Sequence, residues 1–325
     1  MIIGLIDADL CHRKKCTFPN LALMKLSAWH KAHGDIVEWY EPCMGQYDRV
    51  YISKVFSDEY TPDITETILA DEVIRGGSGY AISVHSDGKE HYCKADDKDL
   101  PDEVEHIMPD YGLYEEHGIT DTAYGFLTKG CPRGCDFCHV KSMQGRKCYT
   151  VARLSEFWNG QKNIKLLDPN LTASRDWKMH LDDLAESKAY IDFTQGLDAR
   201  LLTSEKIQDL NHIRWKTIHF AWDKPEEDLK PHFERIKNEL KGIKPQKVSV
   251  YVLTNFGSTH EQDMMRVMFL RSCNVRPYVM IYRKSTAPRE TRQLQGWCNN
   301  PRVFWSIPTL EDFVEIMKHR RYKKE

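Results

Sequence analysis

The sequence predicts an α/β protein in which an open, partial barrel of six β/α pairs follows a small α/β domain. Two patterns lead there. From residue 121 onward, apolar β-rich runs alternate six times with helical patterns, and strands joined through helices pair in parallel by right-handed crossovers. Before that, a shorter strand–helix–strand stretch ends at the glycine cluster Arg75-Gly-Gly-Ser-Gly79. Six pairs are too few to close an eight-fold barrel but suit an open one.

The first element is a strand at 2–7. A polar loop leads to an amphipathic helix that starts near Pro19-Asn20, runs to His33 and is ended by Gly34. Strands follow at 35–40 and 48–55, the second alternating polar and apolar residues. Residues 61–74 read as a short helix stopped by the glycine cluster. The acidic, irregular stretch around Ala95-Asp-Asp-Lys-Asp-Leu-Pro-Asp-Glu-Val-Glu105 reads as a connector. Strands are then expected at 123–128, 163–168, 190–194, 217–222, 248–254 and 277–282. The helices between them are expected around 152–158, 174–188, 203–211, 225–241, 259–272 and 288–298. The expected domains are a small α/β unit at 1–84, the connector at 85–120, the β/α series at 121–308, and a C-terminal helix with a basic tail at 309–325. Residues just past each strand of the series become the candidates for chemistry, because ligands of such folds meet the C-terminal strand ends.

The 325 residues are 41% hydrophobic and 29% charged, ordinary for a soluble globular chain. A net charge of −2 provides no global attraction to nucleic acid. The basic run Lys318-His-Arg-Arg-Tyr-Lys-Lys324 reads as a solvated helix end. Met1-Ile-Ile-Gly-Leu-Ile-Asp7 acquires a charge too early for a signal peptide, and no run approaches the ~20 apolar residues of a membrane span. A cytoplasmic location is the expectation, and with it reduced thiols. Cys11, Cys16, Cys43, Cys93, Cys148, Cys273 and Cys298 show no grouping and read as structural.

Cys131, Cys135 and Cys138 differ. They stand in Lys129-Gly-Cys-Pro-Arg-Gly-Cys-Asp-Phe-Cys138, a C-x3-C-x2-C spacing in a glycine-containing loop after the first strand of the series. Three soft thiolates suit an iron–sulfur cluster. Zinc is the rival, but a closed zinc site needs a fourth ligand, which His139 supplies only awkwardly from its place beside Cys138.

This motif, followed by the six-fold repeat, resembles the radical S-adenosylmethionine (SAM) superfamily over roughly 121–308. The resemblance implies a partial radical SAM barrel, a [4Fe–4S] cluster on Cys131, Cys135 and Cys138, and SAM as the fourth-iron ligand. It also implies cleavage of SAM to a 5′-deoxyadenosyl radical that abstracts hydrogen from a substrate. Phe137 matches the family's habitual aromatic. Asp168-Pro-Asn-Leu-Thr172 departs from the common Gly-Gly-Glu segment and looks like an Asp-x-Asn-Leu-Thr variant. Asp168 would accept from the SAM ammonium with Asn170 beside it; the alternative is a turn that caps the next helix. In Phe193-Thr-Gln-Gly-Leu-Asp-Ala-Arg200, Gln195 or Asp198 would meet ribose hydroxyls and Arg200 the SAM carboxylate, the alternative being a salt-bridged helix start. His219, Asp223, Thr254, Asn255, Tyr282 and Arg283 would ring the remaining mouth as substrate ligands.

The first domain resembles a cobalamin-binding-like domain, but Asp9-Leu-Cys-His12 lacks the cobalt-ligating spacing, so cobalamin is not expected. The whole pattern is similar to a subgroup of radical SAM enzymes that act on queuine, cleaving its exocyclic C–N link to leave 7-aminomethyl-7-deazaguanine. That resemblance implies a lyase acting on a small molecule, an external one-electron reductant such as flavodoxin or ferredoxin, and leaves a homodimer open. A tRNA- or protein-modifying enzyme of methylthiotransferase type and a non-catalytic iron–sulfur or zinc protein stay as alternatives.

Overall fold

A computed structural model describes residues 1–13, 16, 18–86 and 89–322. It is mixed α/β and divides into two compact units, Met1–Lys165 and Leu166–Glu325. The sequence placed a boundary at 120/121; the units divide at 165/166.

In the first unit β1 (Ile2–Asp7), β2 (Ile36–Trp39), β3 (Tyr47–Ser53) and β4 (Ala70–Gly76) form a parallel sheet of order β2-β1-β3-β4. A single turn, α1 (Ala8–Cys11), leaves β1. The main helix, α2 (Leu21–Ala32), begins where its sequence predicts, because the Asn20 side chain accepts from the Leu23 amide at 3.2 Å. Leu23, Met24 and Leu26 pack with Ile3, Leu5 and Tyr114 in one core, and Ile6, Tyr47, Val50 and Ile52 form another.

The helix expected at 61–74 is absent. Residues 61–69 carry no helix, and the chain then pairs as β4 against β3. Pro62 and the β-branched Thr61, Ile64, Thr65, Thr67 and Ile68 disfavour a helix, and the Asp63 carboxylate accepts from the Ile64 amide at 2.9 Å. An antiparallel hairpin, β5 (Ile82–Val84) and β6 (Glu90–Tyr92), runs from the end of the expected first domain into the stretch expected as a connector, which also carries the short helix α3 (Asp102–Glu105).

Six further strands form one parallel sheet of order β14-β13-β12-β11-β10-β7, with β7 at Thr122–Gly125 and β10 at Asn163–Leu166. Between these two lie a short pair, β8 (Thr128–Lys129) and β9 (Tyr149–Thr150), and the turn of helix α4 (Val140–Met143). The expected helix at 152–158 is only a 3-10 turn, Leu154–Glu156.

In the second unit α5 (Trp177–Ser187), β11 (Tyr190–Leu197), α6 (Ser204–Asn211), β12 (Trp215–Ala221), α7 (Lys230–Glu239), β13 (Val248–Thr254), α8 (His260–Ser272), β14 (Arg276–Ile281) and α9 (Arg289–Cys298) follow the expected alternation. The α8 start is a capping box between Thr259 and Gln262. Helices α10 (Pro301–Ser306) and α11 (Leu310–Tyr322) end the described chain, with Trp297, Phe304 and Leu310 in a shared core. Lys323 and Lys324 of the basic tail lie outside the described residues. Among the described residues no helix is long and apolar enough to cross a membrane.

Candidate functional site

The cysteine loop leaves the first unit's β8 and returns as β9, so the antiparallel pairing of Lys129 with Tyr149 closes its neck. Lys129 is further held by Glu105 at 3.2 Å. Gly130 sits at φ +79°, where a Cβ would stand 2.1 Å from the Lys147 carbonyl oxygen, so no other residue fits unshifted. Its amide donates to the Gln144 side chain at 3.0 Å, and the Cys131 amide to the Gly145 carbonyl at 3.2 Å. Gly134, at φ +59°, lets the Arg146 guanidinium lie within 2.8 Å of where a Cβ would be. The Cys138 amide then donates back to the Cys135 carbonyl at 3.1 Å. Cys131, Cys135, Cys138 and Phe137 are all half-buried.

Three thiols on a pinned loop match an iron–sulfur cluster in donor type and number. Among the described residues no group of three His, Cys, Asp or Glu side chains is already gathered tightly enough to enclose a metal ion. His139, the awkward fourth ligand of the zinc alternative, is engaged elsewhere. Its Nε2 lies 3.2 Å from Glu90 on β6, and Glu90 also accepts from the Ser57 hydroxyl at 2.7 Å. Glu90 carried no signal in the sequence, where it sits in a stretch read as connector.

In the second unit Asp168 and Asn170 are buried beyond the end of β10. Asn170 precedes the 3-10 turn Leu171–Ala173, but its side chain does not cap that turn. β11 carries a bulge: its register against β12 jumps between Phe193 and Leu197, Gly196 takes φ +103°, and Gln195 is turned into solvent. Asp198 is buried, and its amide donates to the Thr172 hydroxyl at 2.8 Å. The Arg200 guanidinium donates to Asp198 at 2.7 Å and also to Glu227, so both partners hold it at the end of β11.

The six residues expected around the mouth separate. His219 lies inside β12, not at its end, with Nδ1 2.7 Å from the Ser249 hydroxyl and its ring stacked on Tyr251 at 5.3 Å. Asp223 lies just past β12, and burial pushes its carboxyl up to about 6 despite the nearby Arg266 and Arg200. Thr254 donates to the Met280 carbonyl at 3.2 Å and Asn255, at φ +60°, donates to the Tyr282 carbonyl at 2.7 Å. Both therefore tie the end of β13 to that of β14. Tyr282 packs edge-on against Phe256 at 4.8 Å, and the Arg283 guanidinium lies 5.6 Å from the Tyr282 ring centre.

Arg266 on α8 was missed from sequence, because a lone arginine in a helix looks like a surface cation. It is fully buried and donates to the carbonyls of Trp222 at 2.6 Å, Asp223 at 3.1 Å and Leu253 at 3.0 Å. Asp263 supplies its counter-charge. One side chain thus locks the C-terminal ends of two neighbouring strands.

In the first unit, the Asp9 carboxylate of the failed cobalt signature accepts from the Val55 amide and the Thr61 hydroxyl, both at 2.6 Å. His12 is exposed. No known protein family matches the chain, and no curated protein matches it either.

Proposed function

We propose that this chain is a radical SAM enzyme that abstracts hydrogen from a small molecule inside an open (β/α)6 barrel. The observation that carries the reading is the pinned C-x3-C-x2-C loop at the head of the β/α series, with glycines where the turn forbids side chains. The cluster would be held by Cys131, Cys135 and Cys138. A [4Fe–4S] cluster there would supply one electron to cleave SAM, drawn from flavodoxin, ferredoxin or a similar reductant.

For SAM, Asp168 is the acceptor for the ammonium, with Asn170 beside it. Asp198 and Gln195 serve the ribose, Arg200 the carboxylate, and Phe137 packs beside the cluster. His219, Asp223, Thr254, Asn255, Tyr282 and Arg283 are proposed to position substrate or to shape its mouth. The specific reaction proposed is a lyase cleavage of queuine at the C–N bond to release 7-aminomethyl-7-deazaguanine, in the cytoplasm where thiols stay reduced.

Anaerobic reconstitution with iron and sulfide should give a brown protein that forms 5′-deoxyadenosine from SAM and dithionite. Cys131→Ala, Cys135→Ala and Cys138→Ala should each abolish both colour and product. A colourless protein that holds one zinc ion and makes no 5′-deoxyadenosine would overturn the reading. Queuine should raise 5′-deoxyadenosine output and yield aminomethyl-deazaguanine; turnover of SAM without that product would reject queuine alone.

A further inference from the structure

Parallel sheets ordinarily carry helices on both faces. The sheet of the first unit is covered more thinly. Of the helices described in that unit only α2 is longer than a single turn, and it packs against β1, β2 and β3. Beyond it, residues 98–104 face β3 and β4 across a cavity of about 340 Å³. That is the small end of the range for ligand sites, about 300–1,000 Å³. Register puts Arg49, Tyr51 and Ser53 of β3 on one face with Ile74 and Gly76 of β4, and all five line the cavity. Its walls are apolar, with Leu26 and Trp29 on α2 opposite Leu100 and Val104. None of the residues assigned above to cluster, SAM or substrate lines it.

The polar end of the cavity is built by a chain of bonds. His30 is fully buried, with Nδ1 2.6 Å from Asp35 and Nε2 3.0 Å from the Tyr51 hydroxyl. That hydroxyl accepts from Arg49 Nη1 at 3.2 Å, and Glu72 accepts from Arg49 Nε at 2.7 Å. Two anchors thus fix the guanidinium and take two of its five N–H groups. A guanidinium already held in place loses little freedom when it takes up a carboxylate, whose two oxygens match its fork. Arg75 and Lys98 also line the cavity, against Asp99 and Glu103, so three cations face two carboxylates. Asp99 is itself bound to Lys94 at 2.6 Å, while Arg75 stands 3.6 Å from Asp63.

Gly76 is an independent sign. It ends β4 with a φ outside the left-handed region, and nothing lies within 4 Å of where its Cβ would stand. Its neighbour Gly77 differs, at φ +96° with a Cβ position 2.4 Å from the Lys54 carbonyl oxygen. Glycine weakens a strand, and at 76 neither the backbone nor crowding requires it. What its missing side chain leaves is open space in the cavity.

We propose that this cavity binds a small monocarboxylic acid with an apolar body, its carboxylate paired with Arg49 and its body lying over Gly76 between Trp29 and Leu100. All the residues of the site lie in the first unit, and it does not depend on the proposed reaction.

The test is calorimetric titration of the full chain with 4-phenylbutyrate and octanoate, then with the neutral 4-phenylbutyramide and the cation 4-phenylbutylamine. At least one acid should bind the parent. The amide should bind about tenfold or more weakly than 4-phenylbutyrate, because it loses the charge-assisted pair, and the amine more weakly still. Arg49→Gln should bring the acid down to about the level of the amide and leave the amide within about threefold. Gly76→Ile should abolish binding of acid and amide alike without lowering the melting temperature, since a β-branched side chain suits a strand and fills open space. Circular dichroism checks that Gly76→Ile folds; should it not, Arg49→Gln decides alone, its partner Glu72 being 52% exposed. Failure of both acids to bind the parent, equal binding of acid and amide, tighter binding of the amine, or unchanged acid binding by either folded variant would each overturn the site.

Discussion

Arg266 decides the environment of Asp223, because its guanidinium holds the Asp223 carbonyl while the carboxyl itself stays buried. Burial raises that carboxyl from 3.8 to about 6, so the folded protein binds its proton more tightly than the unfolded chain. Stability from this group is therefore fully present below pH ~4 and is lost as pH rises through about 6, by roughly 3 kcal/mol in all. Asp223→Asn should remove that slope: urea unfolding between pH 4 and 8 should show the parent losing stability relative to the variant as pH rises. A parallel pair of curves would contradict the raised carboxyl. Arg266→Met should cost about 3–5 kcal/mol in the same assay at pH 7, because it leaves Asp263 buried without its counter-charge. None of this was legible in sequence. Asp223 was visible as a polar residue after a strand, but its partner arrives from a helix 43 residues on, and spacing along the chain says nothing of burial.

At the scale of elements, the sequence is most legible where local chemistry and packing agree. The Asn20 cap, the Thr259–Gln262 capping box and the alternating strands of the second unit fall where their residues predict them. Between 61 and 74 the helix expected ahead of the glycine cluster did not form, since Pro62 and the β-branched residues favoured extension and pairing with β3. The β11 bulge was hidden too, because Gln195-Gly196 looks like a strand end until the register jump places it inside the strand. The cysteine loop offers a contrast within one element. Gly145 takes φ +87° with nothing within 4 Å of where a Cβ would stand, whereas at Gly130 the same atom would meet a carbonyl at 2.1 Å. Gly145→Ala should cost about 1 kcal/mol for the left-handed backbone alone. Gly130→Ala should cost clearly more and reduce the iron retained per chain after reconstitution. Thermal unfolding of the two variants, with iron assay, separates these outcomes; equal costs would show that the neck of the loop is not tight.

For the whole molecule, charge is the property that composition states most directly. Lys and Arg number 46 against 48 Asp and Glu, and basic residues cluster only in two short runs, Arg13-Lys14-Lys15 and Lys318 to Lys324. The parallel pairing of the six strands was legible because strand–helix alternation demands crossover connections. The polar face of β11–β14 was not, since His219, Ser249 and Arg276 lie thirty and twenty-seven positions apart and only register brings them into one row. The reading proposed above takes a small neutral ring as substrate, and the charge balance argues against a phosphate-tracking surface. A neutral ring and a phosphate-bearing partner make opposite demands on salt. A protein that neutralises six to ten phosphates loses roughly 10³–10⁵ in affinity between 50 and 200 mM salt. Binding of 7-deazaguanine, a neutral ring, should change less than about threefold over that range. Fluorescence anisotropy with labelled tRNA should show at most weak association at 50 mM salt and none at 200 mM. Tight tRNA binding with a steep salt slope would mean that the substrate is a nucleotide within RNA, and the small-molecule reading would give way.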